Sequence, residues 1–298
     1  MLASPNGVDS VGWTALMVAC VGGFADVAAA LLTDERVDRN ASFDAAGWTP
    51  FIGAANNGRV SVLRLLLADE RVDRSRVDRD GDGALARAAT NGCCETVALL
   101  LRRRLADDDG SGNGVDPNGA NHCGNTALHL SAESGHDSVI RVLLADARVD
   151  PNSSNDWENS ALHLSVGRSH RRAVAALLAH SGERLDPNVP NRHNNTPLAL
   201  AAARCGWNHP DPHAVLELLL TDPRTARVRP PEHEAGARAA YDGALAVVER
   251  RRPRRARFRG LVRAAVAFRR AHRRAALLLS LARAGLSEDP SRAVAAFL

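Results

Sequence analysis

Gly124-Asn125-Thr126-Ala127-Leu128 is the stretch that decides the fold, because it recurs through most of this 298-residue chain. Related stretches begin at residues 12, 47, 81, 158 and 194, and each ends on Leu or Phe. The final residues of successive stretches are 34 to 43 positions apart. A period of this length is typical of repeat proteins, in which each unit buries its apolar side against its neighbours. The sequence therefore predicts about six stacked units.

Each unit carries the signals of a turn followed by two short helices. In five units the third place of the stretch is Thr or Ser, such as Thr126, which is a favourable N-cap, whereas the third unit has Gly83 there. Nine residues after this place, four units have a helix-ending Gly. A second apolar run follows at helical spacing, for example residues 139–144. Three residues before each stretch stands a side chain that bonds to its own turn, namely Asp9, Asp44, Asp78, Asn121, Asn155 or Asn191.

With these features the chain resembles the ankyrin repeat family over about residues 9–222. The resemblance implies an all-α fold, an ankyrin-repeat α-solenoid of about six helix-turn-helix repeats with β-turn tips, followed by C-terminal helices. It also implies that His129 and His163, which occupy the His position of the family's helix motif, hydrogen-bond neighbouring turns and are structural.

The sequence predicts two domains. The solenoid spans residues 9–228, and an Arg-rich helical tail spans residues 229–298. Within the solenoid the repeats fall near 9–43, 44–77, 78–120, 121–154, 155–190 and 191–228. Two segments depart from the pattern: residues 102–119 are expected to form a flexible surface loop, and residues 205–212 are an insertion in the sixth unit.

Charge separates the two predicted domains, although the whole chain is only +4. Up to Val228 there are 28 acidic residues and 22 Arg, whereas from Arg229 onward 16 Arg face 6 acidic residues. The tail is predicted to form amphipathic helices whose polar face carries Arg259, Arg263, Arg270 and Arg274. Two alternatives follow: the tail covers the end of the stack, or it targets an anionic surface, either nucleic acid or membrane lipid.

The composition also bears on where the protein works. No run of 18 apolar residues is present to span a membrane, and the first 20 residues lack the basic start of a secretory signal. The five Cys show no Cys-x-x-Cys spacing and are expected to be reduced thiols. We therefore expect a protein that is not secreted, has no transmembrane segment and acts in the cytoplasm or nucleus.

The sequence contains none of the motifs that would indicate catalysis or a bound cofactor. Phosphate-binding loops, nucleophile elbows and His-Glu-x-x-His zinc motifs are all missing, so we expect no enzyme activity, no cofactor and no metal. Two pairs of residues are weak candidates for metal ligands: His122 beside Cys123, and His209 with His213. In the second pair, Pro residues interrupt any helix that would align the two side chains.

What the resemblance implies instead is binding of another protein on the concave face, by a chain that we expect to be monomeric. That face is formed by the turn tips and the exposed side of each first helix. Trp13, Trp48 and Trp157 fall at tips, where Trp often supplies much of the binding energy, although packing on neighbouring turns is the alternative for each. The predicted partner-binding residues are Trp13, Ala46, Trp48, Asn57, Arg79, Asp80, Asp82, Asn91, His122, Asn125, Glu133, Asp156, Trp157, Asn159, Arg168, Arg192, His193, Asn195 and Arg204.

Acidic residues and Arg also recur together after several second helices, as in residues 34–38, 69–73, 146–150 and 222–224. Stacking would place these charges in rows along one edge. We expect them to form exposed ion pairs, each contributing about 0 to 1 kcal/mol.

Overall fold

The computed structural model describes residues 4–42, 46–102, 115–180, 182–204 and 212–225, together with Asp242 and Leu245. The chain divides into two units, Met1–Ala244 and Leu245–Leu298, and the helices described lie in the first. The predicted loop at 102–119 and the insertion at 205–212 lie largely outside the described residues. So does the predicted tail, with its candidate residues Arg259, Arg263, Arg270 and Arg274.

The described residues form α-helices that follow one another in pairs. The first helices of the pairs are α1 (Ala15–Gly22), α3 (Pro50–Asn56), α5 (Ala84–Thr90), α7 (Ala127–Ser134), α9 (Ala161–Gly167) and α11 (Pro197–Arg204). The second helices are α2 (Ala25–Thr33), α4 (Val60–Ala68), α6 (Cys94–Arg102), α8 (Asp137–Ala145), α10 (Arg171–His180) and α12 (Pro212–Thr221). A short 3-10 helix, Gly182–Arg184, follows α10.

Side-chain caps explain where most first helices begin. The hydroxyl of Thr14 accepts the amide hydrogen of Met17 at 3.2 Å, and Thr49 and Thr196 cap α3 and α11 in the same way. At α5 the cap position is Gly83, which supplies no side-chain hydrogen bond. Helix α7 ends at Gly135, whose φ of 80° lies in the left-handed region that Gly adopts without strain. These caps keep each first helix to about two turns, as the sequence predicted.

The helices stack in two parallel series. Each first helix contacts the first helix of the next repeat, from α1 through to α11, and the second helices contact one another in the same order. The largest fully buried side chains come from both series: Phe51, Leu16, Met17, Ile52, Leu63, Leu66, Leu128, Ile140, Leu143, Leu162 and Leu177. Where two repeats meet, their apolar sides thus cover one another, and the predicted all-α ankyrin-repeat solenoid is confirmed.

The first repeat shows that stacking on a preceding repeat buries apolar side chains of the second helix. Val27 on α2 is 51% exposed, whereas Val62 and Val139, at the same position of α4 and α8, are fully buried. Burial at this position therefore comes from the preceding repeat.

Within the described ranges, every helix is too short or too polar to cross a bilayer.

Candidate binding surface

The tips, the turns that precede each first helix, are held by the Asp or Asn predicted to fix them. The side-chain oxygen of Asn121 accepts the amide hydrogens of Cys123 and Asn125, both at 3.0 Å. Asp9, Asp78, Asn155 and Asn191 make the same pair of contacts in their own turns. Asp44 lies outside the described residues. The tips consequently share one conformation.

Neighbouring tips are also joined through the main chain. The amide of Arg79 donates to the carbonyl oxygen of Ala46 at 3.1 Å, and that of His122 donates to Asp80 at 3.0 Å. The same link joins Asp156 to Cys123 and Arg192 to Trp157. These bonds fix the spacing of the tips along the stack, so the exposed tip side chains occupy set positions relative to one another.

A second set of tip-to-tip bonds uses side-chain amides. Asn121 donates to the carboxylate of Asp82 at 2.9 Å, while Asn155 donates to Asn125 and Asn191 to Asn159, both at 2.8 Å. Asp82 is only 5% exposed, and burial raises the pKa of its carboxyl group against the effect of the Asn121 bond. Three predicted partner-binding residues are therefore engaged in holding the next tip, and their contact with a partner stays a prediction.

Buried imidazoles connect the tips to the helices. Nδ1 of His129 lies 2.9 Å from the hydroxyl of Thr126, and its Nε2 lies 2.9 Å from the carbonyl oxygen of Asn159. His163 makes the equivalent contacts with Ser160 and Asn195. Burial lowers the pKa of both imidazoles, because the charged form loses its hydration. Both residues have the structural role that the resemblance implied.

We use the term inner surface for the tips together with the exposed side of each first helix. Ten predicted residues are exposed there: Ala46, Arg79, Asp80, Asn91, His122, Asp156, Trp157, Arg168, Arg192 and His193. Eight are half-buried: Trp13, Trp48, Asn57, Asn125, Glu133, Asn159, Asn195 and Arg204. Asp82 is buried.

Two of the tip tryptophans, Trp48 and Trp157, differ in their surroundings. Trp157 is 42% exposed. Trp48 is half-buried, and the guanidinium of Arg87 from the next repeat lies over its ring, 5.9 Å from the centroid. Such a cation–π contact holds an indole in place. Trp48 thus packs on a neighbouring repeat, the alternative that the sequence left open, whereas Trp157 presents a large apolar surface to solvent.

Arg87 also organises the third tip. Its guanidinium lies 2.6 Å from carboxylate oxygens of Asp78 and Asp80, and 3.4 Å from that of Asp82. Among the described residues these carboxylates are the one set close enough to share a cation. The guanidinium bridges all three carboxylates and offsets part of their charge, so the arrangement is that of an ion-pair network within the third repeat. His122 and Cys123 are both exposed at the next tip, and His209 lies outside the described residues.

Polar side chains also meet across repeats on the helical part of the inner surface. The amide of Asn91 donates to the side-chain oxygen of Asn56 at 2.6 Å, and the guanidinium of Arg168 lies 2.7 Å from the carboxylate of Glu133. These contacts bring together residues 35 positions apart in the sequence. The helical side of the inner surface is therefore continuous from one repeat to the next.

The recurring Asp–Arg pairs after the second helices correct the expectation of exposed pairs. The Asp69, Asp146 and Asp222 side chains are only 11 to 17% exposed, although their Arg partners are 27 to 51% exposed. Each holds an Arg that also donates to a main-chain oxygen of the preceding repeat; Arg148, for example, reaches Leu101 at 3.0 Å. Only the first pair, Arg36 with Asp34, matches the exposed pair that was expected, and there Arg36 lowers the pKa of Asp34 to about 2. The Arg residues of the later pairs tie repeats together.

Sequence reasoning missed a further set of structural residues, the linking asparagines Asn6, Asn40, Asn118, Asn152 and Asn188. Asn118 donates to the carbonyl oxygen of Arg148 at 2.8 Å and accepts the amide hydrogen of Asp150 at 2.9 Å, joining loops of successive repeats. Asn6, Asn40 and Asn152 make the same two contacts, and Asn188 donates in the same way to the carbonyl oxygen of Arg224 at 2.8 Å. For Asn40, Asn118, Asn152 and Asn188 the signal is visible in the sequence as an Asn two places after an Asp, in phase with the repeat, whereas Asn6 follows Ser4.

Comparison with known proteins agrees with this architecture. A family model described as ankyrin repeats (3 copies) matches residues 1–76 and 70–155. The crystal structure of the ankyrin repeat domain of Bcl-3, a unique member of the IkappaB protein family, is similar to the chain, with a TM-score of 0.56 and 28% sequence identity. That similarity covers 66% of this chain and 81% of the Bcl-3 chain. No curated protein matches the sequence.

Proposed function

The chain belongs to the ankyrin repeat family, and on that premise we propose that its inner surface binds another protein without catalysing a reaction. Ankyrin repeats are in general protein–protein interaction modules, and the fold is typically a non-catalytic scaffold. The proposal specifies only the class of the partner: a protein that contacts several repeats at once.

The observation that carries the proposal is the link between tips. Main-chain bonds such as those from Arg79 to Ala46 and from Arg192 to Trp157 hold exposed side chains in fixed positions before any partner arrives. A surface ordered in advance loses little conformational entropy on binding, and more of the contact energy therefore remains as affinity. Trp157, 42% exposed at its tip, is the residue that we expect to contribute most.

The proposal is tested by affinity capture from cell extract with the whole chain, followed by mass spectrometry. The variants are Trp157→Ala and Arg79→Ala, both at exposed tips, and the matched control is Arg64→Ala, exposed on the second helix α4. We expect the tip variants to lose the captured partner while the control retains it. Equal capture by all three folded variants would show that the inner surface is not the binding site.

Other predictions from the sequence stay predictions. These are the cytoplasmic or nuclear location, the monomeric state, and contact of the tail with nucleic acid or an anionic membrane. The residues behind the last of them, Arg259, Arg263, Arg270 and Arg274, lie outside the described part of the chain.

A further inference from the structure

We infer that the inner surface of the fourth to sixth repeats binds an acidic amphipathic segment, in which Asp or Glu side chains stand beside large apolar ones. This inference rests on the proposed function, because it names the chemistry of the partner at the same surface. It is carried by an apolar strip and by an edge of arginines that borders it.

The apolar strip consists of Leu130, Leu164 and Leu200, which occupy the same position in α7, α9 and α11. Each is half-buried, while the residues on the opposite side of its helix, such as Leu128 and Leu162, are buried in the core. Residues three and four places further along a helix share its face, so Glu133 lies beside Leu130. The strip therefore runs from repeat to repeat along the inner surface.

The same position has a different character in the first half of the stack. There it holds Val18, Gly53 and Arg87, and the last of these is engaged with the carboxylates of the third tip. A continuous row of Leu thus occurs only in repeats four to six of the described chain. Trp157 adds an exposed indole at the tip of the fifth repeat.

The arginine edge consists of Arg168, Arg171, Arg172 and Arg204, placed where α9 and α11 end and α10 begins. Two contacts fix its location. His170 binds the carbonyl oxygen of Glu133 at 2.9 Å, which sets the α9–α10 turn beside the end of α7. A Cβ added at Gly167 would lie 3.9 Å from both Leu200 and the guanidinium of Arg204, so strip and edge adjoin.

Charge at this edge is largely uncompensated. Glu133 pairs with Arg168 at 2.7 Å, whereas Arg171, Arg172 and Arg204 form no ion pair within the described ranges. Among the second helices, the first turns of α2, α6 and α8 carry Asp26, Glu95 and Asp137, whereas those of α4, α10 and α12 have no acidic residue; of these, α10 begins with two Arg. Positive charge near a helix N-terminus is unfavourable, and carboxylates of a bound segment would relieve it.

These features together select the partner's chemistry. Large apolar side chains of a bound segment would cover the Leu strip and Trp157, and its carboxylates would meet the arginine edge. A basic segment of the same apolar content would be repelled there. The arrangement therefore discriminates by the sign of the partner's charge as well as by its apolar side chains.

The test is selection of binders from a displayed library of random 16-residue peptides on the immobilised whole chain. We expect enriched peptides that combine Asp or Glu with Leu, Ile, Phe or Trp. Capture of those peptides should fall about tenfold for the double variant Arg171→Ala with Arg204→Ala. The matched control, Arg259→Ala with Arg263→Ala in the tail, should leave capture unchanged and so exclude acidic peptides that bind the tail.

A charge reversal gives a readout that a loss of structure would not produce. The double variant Arg171→Glu with Arg204→Glu should lose the acidic peptides and should gain affinity for the same peptides rewritten with Lys in place of Asp and Glu. Enrichment of basic or uncharged peptides, equal loss with the tail control, or no enrichment at all would overturn the inference. The proposed function fails separately, if the Trp157→Ala and Arg79→Ala variants still capture the partner protein.

Discussion

The imidazole Nε2 of His129 lies 2.9 Å from the carbonyl oxygen of Asn159, which belongs to the following repeat. The other ring nitrogen contacts Thr126, the N-cap residue of α7. One buried side chain thus sets both the start of a first helix and the position of the next tip. Because the tips carry the exposed residues of the inner surface, the geometry of that surface depends on residues that no partner touches.

Replacement of His129 by Ala should therefore destabilise the solenoid strongly. The change removes the ring's contacts with Thr126 and Asn159 and leaves a cavity at a position with no exposed surface. We expect a loss of about 2–4 kcal/mol in the free energy of unfolding, measured by urea titration. The control is His193→Ala at an exposed tip, where a change within about 0.5 kcal/mol is expected. Similar losses for the two variants would contradict the bridging role.

The buried imidazoles should also make the protein sensitive to mild acid. Burial places the pKa of His129 and His163 below the ordinary value of 6.5, so the unfolded chain binds protons that the folded chain does not. Stability is then fully present above pH 6.5 and is lost as the pH falls toward the folded-state values, by up to about 1.4 kcal/mol per pH unit for each His.

Urea titrations between pH 7.5 and 5 measure this effect. The double variant His129→Gln with His163→Gln removes both titrating groups and should show a shallower fall in unfolding free energy with decreasing pH. The lowered pKa of Asp34, about 2, acts well below this interval and does not interfere. An unchanged slope in the double variant would show that other groups cause the acid sensitivity.

The sequence predicted the parts of the fold that depend on neighbours along the chain. Caps such as Thr126 and the turn-forming Asn121 act within four residues, so their local patterns were sufficient. The prediction from the sequence was wrong where a side chain contacts another repeat. Arg148 and Asp146 were expected to form an exposed pair, yet Arg148 also donates to the carbonyl oxygen of Leu101, 47 positions earlier. The same applies to the surface, since the half-buried Trp48 lies under the guanidinium of Arg87 from the next repeat, a contact that no local pattern indicates.

Arg148 offers a direct comparison between an ion pair that links repeats and one that does not. Arg148→Ala removes the bidentate contact with Asp146 and the bond to the carbonyl oxygen of Leu101, and we expect a loss of about 1–2 kcal/mol. Arg141→Ala on α8 removes only a surface pair with Asp137 one helical turn away, with an expected loss of about 0.3–0.5 kcal/mol. Urea titration of both variants checks the difference, and equal small losses would restore the exposed-pair interpretation.

Glu158 occupies a position at which the chain can be made more stable. Its φ is 56°, in the left-handed region, while the same place in four other repeats holds Gly12, Gly47, Gly81 and Gly124 with φ between 74° and 89°. A residue with a β-carbon is strained in this conformation, and Gly is not. Glu158→Gly should therefore raise the free energy of unfolding by about 0.5–1 kcal/mol, seen as a higher melting temperature in circular dichroism.

Asn194 provides the matched control for that substitution. It stands at the same place in the sixth repeat with a φ of 59°, but Asn tolerates the left-handed region better than Glu because its short polar side chain can bond locally. Asn194→Gly should accordingly change stability by less than Glu158→Gly does. If Glu158→Gly lowers the melting temperature instead, the exposed Glu158 carboxylate supplies more stability than the backbone strain costs, and the turn is not the weak point of the fifth tip.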